Sequence, residues 1–328
     1  MNLKPLKVVV TRKLPPLVEK RMSELFDVKL RDDLNPMSEE DLTLAVTNAN
    51  VLVPTLGDNI SEHLLSKATT KLKLIANYGA GFDHIDVKVA IKKGIIVSNT
   101  PNVLSNDTAD MTLALILGVP RRIYEGSQIL RSGEWSGWAP TALLGSRIAG
   151  KKLGILGMGR IGQAVAERAS SFGLEVHYHN RNQLHIESET RLKAKYWKNL
   201  DDMLRQIDIL TIHVPHTPST FHLINERRLQ LLSKNAFIIN TARGEIIDEN
   251  ALTRMLRTTE IAGAGLDVYE NSKNINPRLR SLSNVLLLPH MGSATHESRS
   301  EMGEKVILNI KTFQDGHPPP DQILPNML

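Results

Sequence analysis

Short β-branched or aliphatic runs alternate with helical patterns over almost the whole chain, and that alternation restricts it to parallel α/β sheets joined by crossover helices. It occurs in two series. The first predicts strands at 7–11, 27–30, 51–54, 73–77 and 95–98, with helices near 17–26, 38–49, 61–68 and 87–93 between them. The second predicts six strands at 152–156, 175–179, 208–213, 236–240, 261–267 and 285–288, the number in a complete doubly wound dinucleotide domain. Between the series lie an apolar helix over about 106–117 and an irregular stretch over 132–150 that carries Trp135 and Trp138. The 328 residues exceed the usual single-domain size. The expected architecture is therefore two Rossmann-like doubly wound parallel-sheet domains. One domain is residues 1–99 with the C-terminal 295–328, and the other is residues 100–294.

Composition excludes several classes. The chain has no cysteine, so disulfide frameworks, thiolate metal sites and cysteine nucleophiles are impossible. Lys+Arg 40 against Asp+Glu 35 leaves a net charge of +5, but the basic residues are dispersed among acids. Aromatics are 4%, too few for base-stacking platforms, so no nucleic-acid partner is expected. The apolar run Val8, Val9, Val10 is far too short for a signal-peptide core or a membrane span, which leaves a cytoplasmic protein with no membrane partner as the expectation.

Gly157, Gly159 and Gly162 form G-x-G-x-x-G between the apolar run ending at Leu156 and the helical pattern beginning at Arg160. In that context the glycines permit a tight turn, close approach of backbone to a pyrophosphate and tight helix–sheet packing, with the helix N-terminus facing the anion. An NAD-selective version carries Asp or Glu at the end of the second strand. This chain has Asn180 and Arg181, 18 and 19 residues past Gly162. A neutral residue followed by a guanidinium removes the charge that would repel a 2′-phosphate and offers a fork to bind one, which favours NADP over NAD. The other reading makes Arg181 a plain loop residue and the chain indifferent between the two.

The chain resembles the D-isomer-specific 2-hydroxyacid dehydrogenases, and most of all their glyoxylate/hydroxypyruvate reductase branch. The segments that carry the likeness are Asn77-Tyr-Gly-Ala-Gly-Phe-Asp83, Thr100-Pro-Asn-Val-Leu104, Leu156-Gly-Met-Gly-Arg-Ile-Gly162, Ile239-Asn-Thr-Ala-Arg-Gly244, Gly265-Leu-Asp-Val-Tyr269 and Leu288-Pro-His-Met-Gly-Ser-Ala-Thr295. The resemblance implies an active site in the cleft between the two domains and reduction of a small 2-oxo acid, glyoxylate or hydroxypyruvate, to the D-2-hydroxy acid by hydride transfer; no metal is expected, because Arg243 supplies the electrophilic charge. Arg243 then clamps the substrate carboxylate and polarises the ketone, work suited to a planar guanidinium. His290 is the general acid, able to change charge near neutral pH. Ala80 and Gly81 match the loop that cradles the substrate carboxylate, although Gly79-Ala80-Gly81 also reads as a plain strand-ending turn. Thr108, Arg160, Ile161, Pro215, Thr241, Asp267 and Gly292 fall on positions that line the cofactor. Trp138 matches a residue that reaches toward a partner subunit's active site, or else packs an interface; both imply a homodimer.

The chain departs from the family at one position. The family's third catalytic residue is a glutamate five positions after the Gly-Leu-Asp aspartate, and Asp267 plus five is Ser272. Glu270 replaces it only if the loop is rearranged. That loss keeps open a second class, a dinucleotide-sensing, corepressor-like binding protein with little turnover. His84, His177, His179, His213, His216 and His296 carry no motif and receive no role.

Overall fold

A computed structural model describes residues 6–327. The chain divides into two compact units, Met1–Leu104 with Ala294–Leu328, and Ser105–Ser293. In the first, β1 (Lys7–Val10), β2 (Asp27–Lys29), β3 (Val51–Val53), β4 (Leu74–Ala76) and β5 (Ile96–Ser98) form a sheet in the order β2-β1-β3-β4-β5. Every neighbouring pair is parallel. Successive residues of a strand point to opposite faces. Val8, Val10, Val51, Val53 and Leu74 accordingly pack with Val18 and Met22 on one side, and Val9, Leu52, Ile75 and Val97 pack with Leu42, Leu64 and Ala90 on the other. The helix His296–Gln314 completes the first face with Met302, Val306 and Ile310. Ser38 caps the helix Glu39–Asn48 by accepting a hydrogen bond from the Asp41 amide at 3.1 Å, as the spacing of those two residues predicts.

The second unit contains β6 (Lys152–Leu156), β7 (Glu175–His179), β8 (Lys195–Tyr196), β9 (Ile209–Ile212), β10 (Phe237–Asn240), β11 (Gly263–Leu266) and β12 (Val285–Leu287). They are parallel throughout, in the order β12-β11-β10-β9-β6-β7-β8. The strand order reverses between β6 and β9, and in open α/β sheets the crevice beyond the carboxyl ends at such a reversal binds ligands. Both faces are covered, which is why the strands read as continuous apolar runs. Leu153, Ile155, Ile209 and Ile239 pack with Leu115 and Ile116 of the helix Ser105–Gly118, while Leu210, Ile212, Ile238 and Leu266 pack with Leu252 and Met255 of the helix Glu249–Arg257.

Two elements differ from the sequence reading. β8 is a seventh strand of two residues, too short to show a period. The helix Ile123–Ser132 has no buried residue, so its apolar side chains do not mark a core-facing stripe. Among the described residues no helix is long and apolar enough to cross a membrane.

Candidate functional site

The carboxyl ends of the second sheet gather the residues singled out in that part of the sequence. Gly157–Gly162 follow β6, Asn180 and Arg181 follow β7, Pro215 follows β9, Thr241 and Arg243 follow β10, Asp267 follows β11, and His290 and Gly292 follow β12. Gly157 turns at φ +98, and a side chain on it would come within 2.8 Å of the His213 and Val214 backbone. A Cβ on Gly162 would overlap the Gly157 carbonyl, whereas one on Gly159 would meet nothing within 4 Å. The loop is therefore closed on the sheet side and open on the other. The helix Arg160–Ser171 starts there without a side-chain cap, leaving first-turn amides for an acceptor from outside. Arg160 is exposed and Ile161 half-buried at its start. Open space over uncapped amides fits a dinucleotide pyrophosphate.

Asn180 ties the end of β7 to this loop, its Oδ1 accepting from the Met158 amide at 2.7 Å. Arg181, next in the chain, is exposed. His213, at the end of β9, bonds Thr211 through Nε2 at 2.9 Å, and burial pushes its pKa down to about 3, so the ring is neutral beneath the glycine loop. Pro215 is exposed, and its carbonyl accepts from the Thr220 hydroxyl at 2.7 Å.

Asp267 is 1% exposed and spends its carboxylate on the backbone: Oδ1 accepts from the Met291 amide at 2.7 Å and Oδ2 from the Gly292 amide at 2.8 Å. These bonds clamp the turn at His290, which has the left-handed φ of +55 and stands exposed. A non-glycine residue in that region persists only where its surroundings fix it, and such strain gathers at functional sites. Tyr269 fixes the other side, its hydroxyl donating to the Leu288 carbonyl at 2.8 Å. Burial, with the Asp267 charge adding, pushes that phenol up to about 12. A Cβ on Gly292 would lie 3.1 Å from Asp267 Oδ2 and 3.5 Å from Thr108, which is buried in the helix Ser105–Gly118. In the same helix Thr112 meets the Thr241 hydroxyl at 2.9 Å.

Arg243 is held by its own loop. Asn240 accepts from the Ala242 amide at 3.0 Å and donates to the Arg243 carbonyl at 2.8 Å, while Arg243 Nη1 donates to the Ala242 carbonyl at 2.7 Å. The next residue must be glycine, because a Cβ on Gly244 would overlap the backbone of Tyr269 and Glu270. Glu270 is engaged with two partners: Oε1 meets His222 Nε2 and accepts from the Glu249 amide. His222 is stacked on Phe221 with ring centroids 4.1 Å apart. Ser272 is exposed in the turn beyond. Asn240 and Tyr269 lie in segments that carry the family likeness, but their scaffolding roles, like the pairing of His222 with Glu270, show only in the structure.

Ala80 and Gly81 belong to the first unit, in the bend after β4. Asn99 Nδ2 donates to the Ala80 carbonyl at 2.7 Å, and Asn77 Nδ2 donates to the carbonyls of Gly79 and Gly81 at 2.9 Å each. With the bend's carbonyls turned to these amides, its shape is fixed by side chains of the same unit.

A family model described as "D-isomer specific 2-hydroxyacid dehydrogenase, NAD binding domain" matches residues 113–292, more than half of the chain. The chain belongs to the D-isomer specific 2-hydroxyacid dehydrogenase family. Its family membership extends beyond that domain. It is 42% identical over 326 residues to a glyoxylate reductase of Thermococcus litoralis, covering 98% of each chain. Among solved structures it is similar to the NADPH-dependent glyoxylate/hydroxypyruvate reductase of Sinorhizobium meliloti in complex with NADP and malonate, with a TM-score of 0.87 and 32% identity over 98% of this chain and 97% of that one. It is also similar to a glyoxylate reductase from Paecilomyes thermophila, with a TM-score of 0.86, 33% identity and 99% of both chains covered. For this 2-hydroxyacid dehydrogenase a nicotinamide dinucleotide is thus the cofactor, and the likeness covers both units.

Proposed function

We propose that this chain reduces glyoxylate and related small 2-oxo acids such as hydroxypyruvate to the D-2-hydroxy acid, using NADPH in preference to NADH. The observation that carries the reading is the pair Arg243 and His290, each set at a carboxyl end of the dinucleotide-binding sheet by a dedicated scaffold, Asn240 for one and Asp267 for the other. The bound dinucleotide supplies the hydride. Arg243 binds the carboxylate and polarises the adjacent ketone, and its fork stabilises charge that grows on the carbonyl oxygen. His290 gives that oxygen a proton. Ala80 and Gly81 contribute to holding the substrate carboxylate, and Thr108, Arg160, Ile161, Pro215, Thr241, Asp267 and Gly292 to seating the cofactor, with Asp267 acting through the turn that it clamps. Residues 1–99 with 295–328 form the substrate-binding domain and residues 100–294 the dinucleotide-binding domain. A cytoplasmic location belongs to the same reading. The dinucleotide-sensing alternative gains nothing from the curated relatives, whose names describe reductases.

Steady-state oxidation of NADPH and NADH against a panel of 2-oxo acids tests the proposal; no turnover with any acid and either cofactor overturns it. Arg181, exposed beside Asn180, is the selectivity residue. Arg181→Ala is expected to weaken NADPH by about 1.5–3 kcal/mol, the scale of hydrogen bonds to charged groups, and to leave NADH nearly unchanged. Equal losses with both cofactors would remove Arg181 from the assignment.

The active form is a homodimer. Ile123, Tyr124, Leu130, Trp135, Trp138 and Leu144 are exposed large apolar side chains within one stretch, with Trp138 84% exposed. So much apolar surface in one segment marks an interface. Sedimentation should give the mass of two chains, and Trp135→Ser with Trp138→Ser should shift the population toward one.

A further inference from the structure

We propose that Arg12 forms an anion subsite in the first unit that receives a carboxylate or phosphate at the far end of a 2-oxo acid. The proposal rests on the function proposed above and goes beyond it to the class of substrate. Arg12 follows β1, at the place where the strand order reverses between β1 and β3. A crevice beyond the carboxyl ends of an open parallel sheet is favoured for ligands at that point.

The guanidinium there is incompletely used. Its Nε and Nη2 are buried and have no hydrogen-bond partner among the described residues. Those two nitrogens are the side-on fork of an arginine, whose parallel N–H bonds match the two oxygens of a carboxylate or phosphate. Buried donors without acceptors are rare, and an ion absent from a structure is one standard reason for them.

The surroundings make room for this side chain. A Cβ on Gly57 would overlap Nη2, so the glycine is what lets the guanidinium lie against the turn after β3. Gly57 is exposed, which gives an anion its approach. Asp58, 2% exposed, has its Oδ2 filled by the Thr11 hydroxyl at 2.5 Å, the Thr55 amide at 2.7 Å and the Thr55 hydroxyl at 3.1 Å. Oδ2 is thus committed to holding the turn, while Oδ1 is buried with no hydrogen-bond partner among the described residues. The same turn touches the expected carboxylate cradle, since a Cβ on Gly79 would lie 3.1 Å from Leu56. Arg12 therefore stands one turn away from the Gly79-Ala80-Gly81 bend, placed to read the end of a substrate whose 2-oxo acid head is held elsewhere.

The test uses the full chain with its cofactor and compares kcat/KM for glyoxylate, hydroxypyruvate, oxaloacetate and 3-phosphohydroxypyruvate in the wild type, Arg12→Gln and Arg12→Lys. Arg12→Gln is expected to lower kcat/KM on oxaloacetate or the phosphorylated acid at least tenfold more than on glyoxylate, with Arg12→Lys between. Whichever of these two acids shows the larger loss identifies the anion as carboxylate or phosphate. Equal losses on all four acids overturn the subsite. A lowered Tm with an unchanged order of substrates also overturns it, because Arg12 then serves the turn, for example by pairing with Asp58. If no 2-oxo acid is turned over, the proposed function fails on its own. Protection against thermal unfolding by malonate, compared with acetate, then judges Arg12 separately, and the subsite stands only if Arg12→Gln abolishes the difference.

Discussion

Arg243→Lys is expected to lower kcat/KM on glyoxylate by about 10³-fold, or ~4 kcal/mol of transition-state stabilisation, although it preserves the charge. A lysine ammonium is a point charge on a flexible stem and cannot address a carboxylate and the neighbouring ketone with parallel bonds. It also cannot reproduce the Nη1 bond to the Ala242 carbonyl while pointing the rest of the group outward. The fold should be unaffected, since Asn240 holds this loop through backbone groups that the substitution leaves in place. Steady-state kinetics together with an unchanged Tm would establish this, and a variant with near-wild-type kcat/KM would end the assignment of Arg243 to the carbonyl.

Gly244→Ala should damage stability and activity together. The added methyl would overlap the backbone of Tyr269 and Glu270, and backbone cannot swing aside as the end of a side chain can. Overpacking of this kind costs about 1–3 kcal/mol, visible as a lower denaturation midpoint. The displaced neighbours include Tyr269, whose hydroxyl holds the Leu288 carbonyl two residues before His290, and Glu270, which is bonded to His222. One methyl group thus disturbs the loops of both Arg243 and His290, so kcat should fall by more than the population of unfolded chains accounts for. A fully active variant with wild-type stability would show that the two loops are mechanically independent.

The architecture was legible where burial is two-sided. β6, β9 and β10 carry apolar residues at nearly every position because both faces are covered, and such runs announce themselves. β8 escaped because two residues, one a lysine, hold no pattern. The helix Ile123–Ser132 escaped because its apolar residues face solvent and its interior contains Gly126. At the site the residue types were readable from local motifs, but their supports were not. Asp267 grips amides 24 and 25 residues away, and Glu270 meets a histidine 48 positions earlier. Nothing local in the sequence says which distant group a carboxylate will choose, so the roles of Asp267 and Glu270 as scaffolding became visible only in three dimensions.

The division of the first unit between the two ends of the chain fixes an order of assembly during translation. All five strands of its sheet are made before residue 99, yet the layer over Val8, Val10, Val51 and Val53 depends on Met302, Val306 and Ile310. The second unit, continuous from Ser105 to Ser293, has no such debt and contains its own complete core. On the ribosome, a nascent chain therefore possesses every residue of the dinucleotide-binding sheet while the earlier-made sheet still waits, with one apolar face covered only in part by Val18 and Met22, for the last helix to emerge.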